Sequence, residues 1–286
     1  MAATEVIIWQ IPAHPRSREV CAAMLQGINR VGDKATIQSA LNYRKPEGDV
    51  GLFYGLAGRL CQALRQYPAI GKPAIYVDLG FWGRKQGGRF AGYHKISVNN
   101  RHPTAYFQDR PHDFSRASVF KLKPAPWRKS DPGAPIILAG MGPKGAYAEG
   151  YRPQQWESQM VKIMRQFTDR PIHYRPKPNW PAATPIPGTI MLNRLAPLEQ
   201  ALEGAHCVVS HHSNTGVEAL VAGIPNFTTE GVAAPLSRTD LVKIEDPLLS
   251  EHRMQWLADV AWTQFSIAEM ASGLAWRHLK EEGRVP

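Results

Sequence analysis

The sequence predicts an α/β protein of two domains, and three observations support this prediction. The chain has 286 residues, which is enough for two domains of ordinary size. Short apolar runs alternate with amphipathic stretches in both halves, as they do in parallel sheets covered by helices. The 24 prolines and 24 glycines supply the many short connections that this alternation requires. A Pro/Gly break at Asp131–Pro135 separates the halves, so we expect a ligand-binding cleft between two domains.

Apolar runs and helical spacing define the elements of the first half. The predicted strands are Val6–Ile11, Lys34–Gln38, Val50–Tyr54 and Pro73–Leu79. The predicted helices are Ser17–Asn29 and Leu56–Tyr67, the second closed by Pro68. From residue 80 to residue 129 the pattern is irregular, glycine-rich and basic, and it predicts no further element.

The alternation restarts after the break. The predicted strands are Ile136–Gly140, Pro171–Tyr174, His206–Ser210 and Asn226–Thr228. The predicted helices are Gln154–Phe167, Pro197–Glu203, Asn214–Ala222, Glu251–Val260 and Ser266–Leu279. We therefore expect an N-terminal domain over 1–130, a second domain over 131–265, and a C-terminal helix over 266–286 that packs on the N-terminal domain.

Composition limits the function classes. The net charge of +10 favours polyanionic partners such as nucleic acid or nucleotides, although it also serves solubility. Cys21, Cys61 and Cys207 lie too far apart in the sequence for a disulfide framework or a zinc site, so we expect buried thiols and no metal. The N-terminus does not read as a signal peptide, and no apolar run approaches the roughly 20 residues of a membrane span. We expect a cytoplasmic protein with no membrane partner.

The segment from His206 to Pro225 predicts an anion site. An apolar strand leads into Ser213-Asn214-Thr215-Gly216, and a helix follows at once. Capping residues, free N–H groups and the positive helix dipole suit a phosphate there. Glu218 could accept hydrogen bonds from a ribose. An ordinary capped helix explains the same pattern equally well. His211 and His212 are adjacent, so on a strand they would point to opposite faces, and one of them, His212 in our assignment, would face the ligand.

Two further strand ends carry charged residues. Arg175 and Lys177 follow the strand at 171–174, and their spacing points both cations the same way, as a diphosphate requires. A solvated basic turn is the alternative. Asp78 ends an apolar strand, where it could act as the general base that takes a proton from a hydroxyl. A turn cap is the alternative for Asp78.

Cations and aromatic rings alternate in the irregular stretch. Phosphate pairing and aromatic wedges together are typical of a nucleic-acid surface, and a flexible loop that packs its rings on the domain is the alternative. The candidate nucleic-acid residues are Arg84, Lys85, Arg89, His94, Lys95 and Arg101, interleaved with Phe81, Trp82, Phe90 and Tyr93.

The segment Val208–Pro225, with Gly231–Ser237 after it, resembles the donor domain of GT-B-fold glycosyltransferases, in particular the capsule-type sugar transferases. The resemblance covers about the last third of the chain. It implies two Rossmann-like domains facing a cleft, with a C-terminal helix that crosses back. It also implies a nucleotide diphospho-sugar, expected to be a UDP-sugar, as co-substrate and no other cofactor. The donor-binding residues would be Arg175, Lys177, His212, Ser213, Asn214, Thr215, Gly216 and Glu218.

The sequence thus predicts a glycosyltransferase that acts on a hydroxyl acceptor. The whole chain is similar to proteins of tailed-phage genomes that are linked to hypermodified bases. With the positive charge, this similarity favours double-stranded DNA as partner and a 5-hydroxymethylpyrimidine as acceptor. Two alternatives remain: a glycosyltransferase that acts on a polysaccharide or small molecule, and a nucleotide- or DNA-binding protein without catalysis.

Overall fold

The chain folds into two compact units, each built on its own sheet. The structure is a computed structural model that describes residues 2–88, 90–105, 111–129 and 131–286. Unit 1 comprises Met1–Phe120 and Ala258–Pro286, and unit 2 comprises Lys121–Leu257. The division falls after Phe120, earlier than the predicted break at 131–135, and the chain returns to unit 1 at Ala258.

Unit 1 contains a six-stranded mixed sheet. Its strands are β1 (Glu5–Gln10), β2 (Lys34–Ser39), β3 (Val50–Tyr54), β4 (Ala74–Leu79), β5 (His94–Val98) and β11 (Gln264–Phe265). The strand order is β11-β5-β4-β3-β1-β2. The pairs among β1 to β4 are parallel, whereas β5 pairs antiparallel with β4 and β11 antiparallel with β5. The four strands predicted from apolar runs are all present, and their carboxyl ends lie at one edge of the sheet.

Helices cover the unit 1 sheet. They are α1 (Pro15–Arg30), α2 (Leu60–Ala69), α3 (Ser115–Val119), α9 (Ile267–Ala271) and α10 (Leu274–Glu281), with 3-10 turns at Ala40–Asn42 and Pro103–Ala105. Met270, Trp276 and Leu279 share one buried core with Val6 and Ile8 of β1, so the C-terminal segment crosses back as predicted. This segment is two helices and not one, because Gly273 adopts a positive φ of 86° between them.

Unit 2 contains a five-stranded parallel sheet. Its strands are β6 (Ile136–Ala139), β7 (Ile172–Arg175), β8 (Ile190–Met191), β9 (Cys207–Ser210) and β10 (Asn226–Thr228), in the order β10-β9-β6-β7-β8. All four strand pairs are parallel. Its helices are α4 (Pro143–Ala148), α5 (Gln155–Met164), α6 (Leu198–Leu202) and α7 (Asn214–Val221), with 3-10 turns at Ala234–Leu236 and Leu241–Lys243; α8 (Arg253–Trp262) leads back to unit 1. All four predicted strands and the helix at Asn214 are present.

The structure adds elements that the sequence did not predict. β5 lies inside the irregular stretch 80–129, and β8 and β11 are two residues long each. Pro68 lies within α2 and does not close it, since the helix runs to Ala69. Among the described residues, no helix combines the length and the apolar character that a bilayer span requires.

Candidate functional site

The N-terminus of α7 lies directly after β9, at the carboxyl edge of the unit 2 sheet. Ser213 is the N-cap, and its Oγ accepts a hydrogen bond of 3.2 Å from the backbone N–H of Thr215. The same hydroxyl donates to the Thr215 Oγ at 3.1 Å. The helix therefore begins at Asn214, as the sequence predicts, and its first N–H groups face the end of the sheet.

Arg175 ends β7 at the same edge of the sheet. The residue is 9% exposed, and one guanidinium nitrogen donates to the Ala196 carbonyl at 3.0 Å. Its Nε has no hydrogen-bond partner among the described residues. Burial lowers the pKa of Arg175, and the carboxylates of Glu218 and Glu199 act in the opposite direction. Arg175 is therefore a buried cation whose Nε can donate to a ligand.

Lys177 is half-buried and lies near a carboxylate that sequence reasoning missed. Glu157 on α5 is fully buried, and its Oε1 accepts the backbone N–H of Met141 at 2.6 Å. Burial raises the pKa of Glu157, while the N–H donors and the charge of Lys177 oppose this rise. The only sequence signal for Glu157 is its position next to Trp156, on the buried face of the helix.

Gly216 packs closely against neighbouring residues of unit 2. A Cβ at this position would stand 3.3 Å from the Ala233 Cβ and 3.5 Å from the Thr228 hydroxyl. The Gly216 carbonyl also accepts a hydrogen bond of 2.8 Å from Asn226. Its small size therefore serves close packing of α7 against β10, and its role toward a donor stays a prediction.

The expectation that His211 and His212 face opposite ways is wrong. β9 ends at Ser210, so both histidines lie in the bend beyond the strand, where alternation of side chains no longer holds. Their Nδ1 atoms are 3.0 Å apart, and the His212 Nδ1 is 3.6 Å from a carboxylate oxygen of Glu149. Ligand atoms of Glu149, His211 and His212 all lie within 4.8 Å of one another. Sequence reasoning missed Glu149, which lies just after α4.

In unit 1, Asp78 lies within β4, one residue before the strand ends. Its Oδ2 accepts a hydrogen bond of 2.6 Å from the Tyr76 hydroxyl, and its Oδ1 accepts the Leu79 N–H at 2.8 Å. Residues 76 and 78 share a face of the sheet, which brings the two side chains together. Burial and the Asp78 carboxylate raise the pKa of Tyr76 far above its ordinary value, so this hydroxyl stays a donor.

Three polar residues that the sequence reasoning missed, Tyr54, His14 and Arg16, accompany Asp78 and His94 at this edge. Tyr54 ends β3, and its ring lies 5.9 Å from His94 and 5.5 Å from His14, centroid to centroid. Burial raises the pKa of Tyr54, and the side chain of Arg16, which hydrogen-bonds to it, opposes this rise. His14 caps α1 by accepting from the Ser17 N–H, and Arg16 lies in its first turn. Only the position of His14 and Arg16 after β1 could have indicated them.

The predicted nucleic-acid residues do not form one exposed basic surface. His94 and Lys95 lie in β5 and are only 1% and 6% exposed. The Lys95 ammonium donates to the carbonyl of Arg101, and Arg84 donates to the carbonyl of Gly80. Arg84 and Arg101 are half-buried, Lys85 is exposed, and Arg89 lies outside the described residues.

The aromatic rings of the same stretch pack inward. Phe81 and Tyr93 are buried, and the rings of Trp82 and Tyr93 contact Phe120 at centroid distances of 5.7 and 4.6 Å. This arrangement matches the alternative interpretation, in which the stretch packs its rings on the domain. It leaves neither Phe81 nor Tyr93 as an exposed wedge for bases.

Two solved structures resemble this chain over almost its whole length. The Thermosulfurimonas dismutans KpsC β-Kdo 2,7 transferase has a TM-score of 0.52 and 14% identity, covering 96% of this chain and 99% of that one. The KpsC β-Kdo 2,4 transferase of the same organism has a TM-score of 0.51 and 9% identity, covering 93% of each chain. Neither a family model nor a curated protein matches this sequence. This chain has the GT-B fold, as its resemblance to that class predicted. At these identities the likeness concerns the fold alone.

Proposed function

We propose that this chain is a glycosyltransferase that takes a sugar from a nucleotide sugar held by unit 2. The observation that carries the proposal is the polar edge of the unit 2 sheet. There the capped N-terminus of α7 follows β9, and the buried Arg175 ends β7. A helix N-terminus offers N–H donors and a positive dipole end, which suit a phosphate. The GT-B fold supports the proposal, since the two structures compared above are named as Kdo transferases.

The donor is recognised through its phosphates and its ribose. An unsatisfied buried donor costs about 1–3 kcal/mol, so a phosphate oxygen that accepts from the Arg175 Nε removes a penalty as well as pairing a charge. Lys177 supplies a second cation, and two cations fit a nucleotide diphospho-sugar, with a UDP-sugar as the first candidate. His212, Ser213, Asn214 and Thr215 border the phosphates, and Glu218 accepts from a ribose hydroxyl.

The reaction is a displacement at the anomeric carbon of the donor sugar. The acceptor oxygen forms a bond to this carbon while the bond from the carbon to the phosphate oxygen breaks. The nucleotide leaves with the electron pair, and the helix N-terminus and Arg175 stabilise its negative charge. Asp78 of unit 1 takes the proton of the acceptor hydroxyl, and the hydrogen bond from Tyr76 orients its carboxylate.

We compare two acceptor classes, and the structure supports them to different degrees. A 5-hydroxymethylpyrimidine in phage DNA requires a basic surface, and the net charge of +10 is its main support. The burial of His94 and Lys95 removes two of the six cations on which that hypothesis depends. A sugar hydroxyl of a glycan needs no such surface, and the names of the two similar structures favour it. We therefore propose a glycan acceptor.

Calorimetry and turnover with a panel of nucleotide sugars test the donor site. We expect Arg175→Ala to weaken nucleotide diphosphate binding by about 10- to 100-fold, and Arg175→Lys to recover part of the loss. Arg152→Ala is the matched control, since Arg152 is exposed in the same unit. Equal affinities in all variants would exclude this edge of the sheet as the donor site. Binding without any nucleotide release would favour the non-catalytic alternative.

Asp78→Asn tests the base on unit 1. General base catalysis typically contributes 10²- to 10⁴-fold, so we expect kcat to fall by at least about 100-fold while the donor affinity stays unchanged. Asp49→Asn, at an exposed aspartate of the same unit, is the control. A kcat of Asp78→Asn equal to that of the wild type would assign the proton to another group.

A further inference from the structure

The cluster of Glu149, His211 and His212 is a candidate metal site that the proposed transfer does not require. It lies immediately before the Ser213 cap of α7, and all three side chains carry atoms that bind divalent transition metals. We propose that the Nδ1 atoms of His211 and His212 and a carboxylate oxygen of Glu149 bind one divalent cation of the Zn²⁺ class.

Two of the distances between the ligand atoms fit a metal at ordinary bond lengths. Zn²⁺ binds imidazole nitrogen and carboxylate oxygen at about 2.0–2.2 Å. A metal at that distance from two nitrogens 3.0 Å apart makes an N–Zn–N angle of about 90°. The 3.6 Å between the His212 Nδ1 and Glu149 corresponds to an angle of about 120°. Both angles fall in the range of four- to six-coordinate sites.

The protein holds the ligands in place through separate contacts. The ring of His211 meets Trp156 and Tyr151 edge-on, at centroid distances of 5.7 and 6.1 Å. Its carbonyl accepts the Glu230 N–H at 2.8 Å, which fixes the bend after β9. Glu149 is anchored because its own N–H donates to the last turn of α4. The two histidines therefore converge through the backbone and packing, and need no metal to bring them together.

Two glycines lie close to His212. A Cβ on Gly145 would stand 3.5 Å from the His212 Nε2, and a Cβ on Gly231 would stand 3.5 Å from the His212 Cα. Gly231 also has a positive φ of 86°, which a residue with a side chain rarely adopts.

The ligand set determines the metal class. Two imidazoles and one carboxylate suit Zn²⁺ and its neighbours Co²⁺ and Ni²⁺, whereas Mg²⁺ and Ca²⁺ prefer oxygen ligands alone. Three protein ligands leave at least one coordination position for water or an anion oxygen. The side chains of His212 and Glu149 are 17% and 9% exposed, so the cluster is sheltered but reachable.

Titration of the chelator-treated protein with Zn²⁺ alone tests the site. We expect one saturable equivalent, and a Co²⁺-loaded protein with ligand-field absorption in the visible range. Glu149→Gln and His212→Asn each remove one ligand with little change of shape. Removal of a residue that only hydrogen-bonds to a metal ligand typically weakens metal binding by about 10- to 100-fold. Removal of a ligand itself should therefore weaken Zn²⁺ binding at least about 10-fold.

The matched control is His252→Asn, because His252 and Glu251 form a similar pair at 3.9 Å on the exposed surface. This variant should bind Zn²⁺ like the wild type. Absence of saturable binding to the wild type would refute the site, and so would equal affinities in His212→Asn and His252→Asn. In either case Nδ1···Nδ1 hydrogen bonding would account for the histidine pair. Because no nucleotide is present, these outcomes are independent of the proposed sugar transfer.

Discussion

Burial of His94 should make unit 1 sensitive to mild acid. His94 is 1% exposed, and its burial, followed by the positive charge of Arg16, lowers its pKa from 6.5 to about 4. The Gly92 carbonyl and the Asp78 carboxylate oppose this shift. The unfolded chain binds a proton near pH 6.5 whereas the folded chain does not, so unfolding becomes easier as the pH falls. The stabilisation is complete above pH 6.5 and disappears between pH 6.5 and about 4.

The size of the effect follows from the two pKa values. The two pKa values together correspond to about 3 kcal/mol in the free energy of unfolding. About 1.3 kcal/mol of this stabilisation should be lost between about pH 7.5 and pH 5.5. Urea unfolding of the wild type and of His94→Gln at both pH values measures this loss, because the other titrating groups are common to the two proteins. His252→Gln, at an exposed histidine, should keep the pH dependence of the wild type. An equal loss in wild type and His94→Gln would refute the reasoning, as would an NMR titration of His94 near pH 6.5.

Three further predictions concern packing, the acceptor and the thiols. Gly27→Ala should lower the free energy of unfolding by about 1–3 kcal/mol, since its Cβ would stand 1.9 Å from a backbone oxygen of α9. Gly133→Ala should change it by less than about 0.5 kcal/mol in urea unfolding, because no described atom outside its chain neighbours lies within 4 Å of the new Cβ. Lys85→Ala should leave duplex DNA binding and its salt dependence unchanged in a fluorescence titration. If the slope of log affinity against log salt concentration became shallower by about 0.9, the result would support DNA as the acceptor. Cys21 and Cys207 are buried as expected, whereas the expectation of a buried thiol is wrong for Cys61, which is exposed. A thiol reagent should therefore label one of the three cysteines in the native protein and all three after unfolding.

The fold followed from the sequence wherever local pattern and tertiary burial agree. Val50–Tyr54 and Asn226–Thr228 are strands with the bounds that their apolar runs predict. β5 was missed because His94 and Lys95 are polar residues that become buried only when β4 and β11 flank them. The residues near β5 in the sequence do not reveal which strands will pair with it, so local pattern could not predict this strand.

The C-terminal segment shows a similar limit. Its apolar spacing runs continuously from Ile267 to Leu279 and predicts one helix. Gly273 breaks it, and a Cβ there would stand 2.8 Å from a Val31 side-chain carbon and 2.9 Å from the Gly27 carbonyl. Positive φ and close approach to α1 both favour glycine, so contact with another element determines where the helix ends.

The side-chain directions at the candidate sites depend on where each strand ends, because side chains alternate between the two faces of the sheet only within a strand. Within β4 the rule that residues two apart share a face holds, and it brings Tyr76 to Asp78. After β9 it fails, because Ser210 is the last residue paired on both sides, and the chain bends as soon as the ladder ends. His211 and His212 can then converge, although adjacent residues in a strand could not. Functional residues of parallel sheets cluster at the carboxyl ends of the strands. Sequence periodicity therefore predicts side-chain direction least well at the positions where catalytic and binding residues are most expected. An adjacent pair at a strand end should therefore be evaluated as a possible ligand pair, and Zn²⁺ titration of His212→Asn decides whether this one binds a metal.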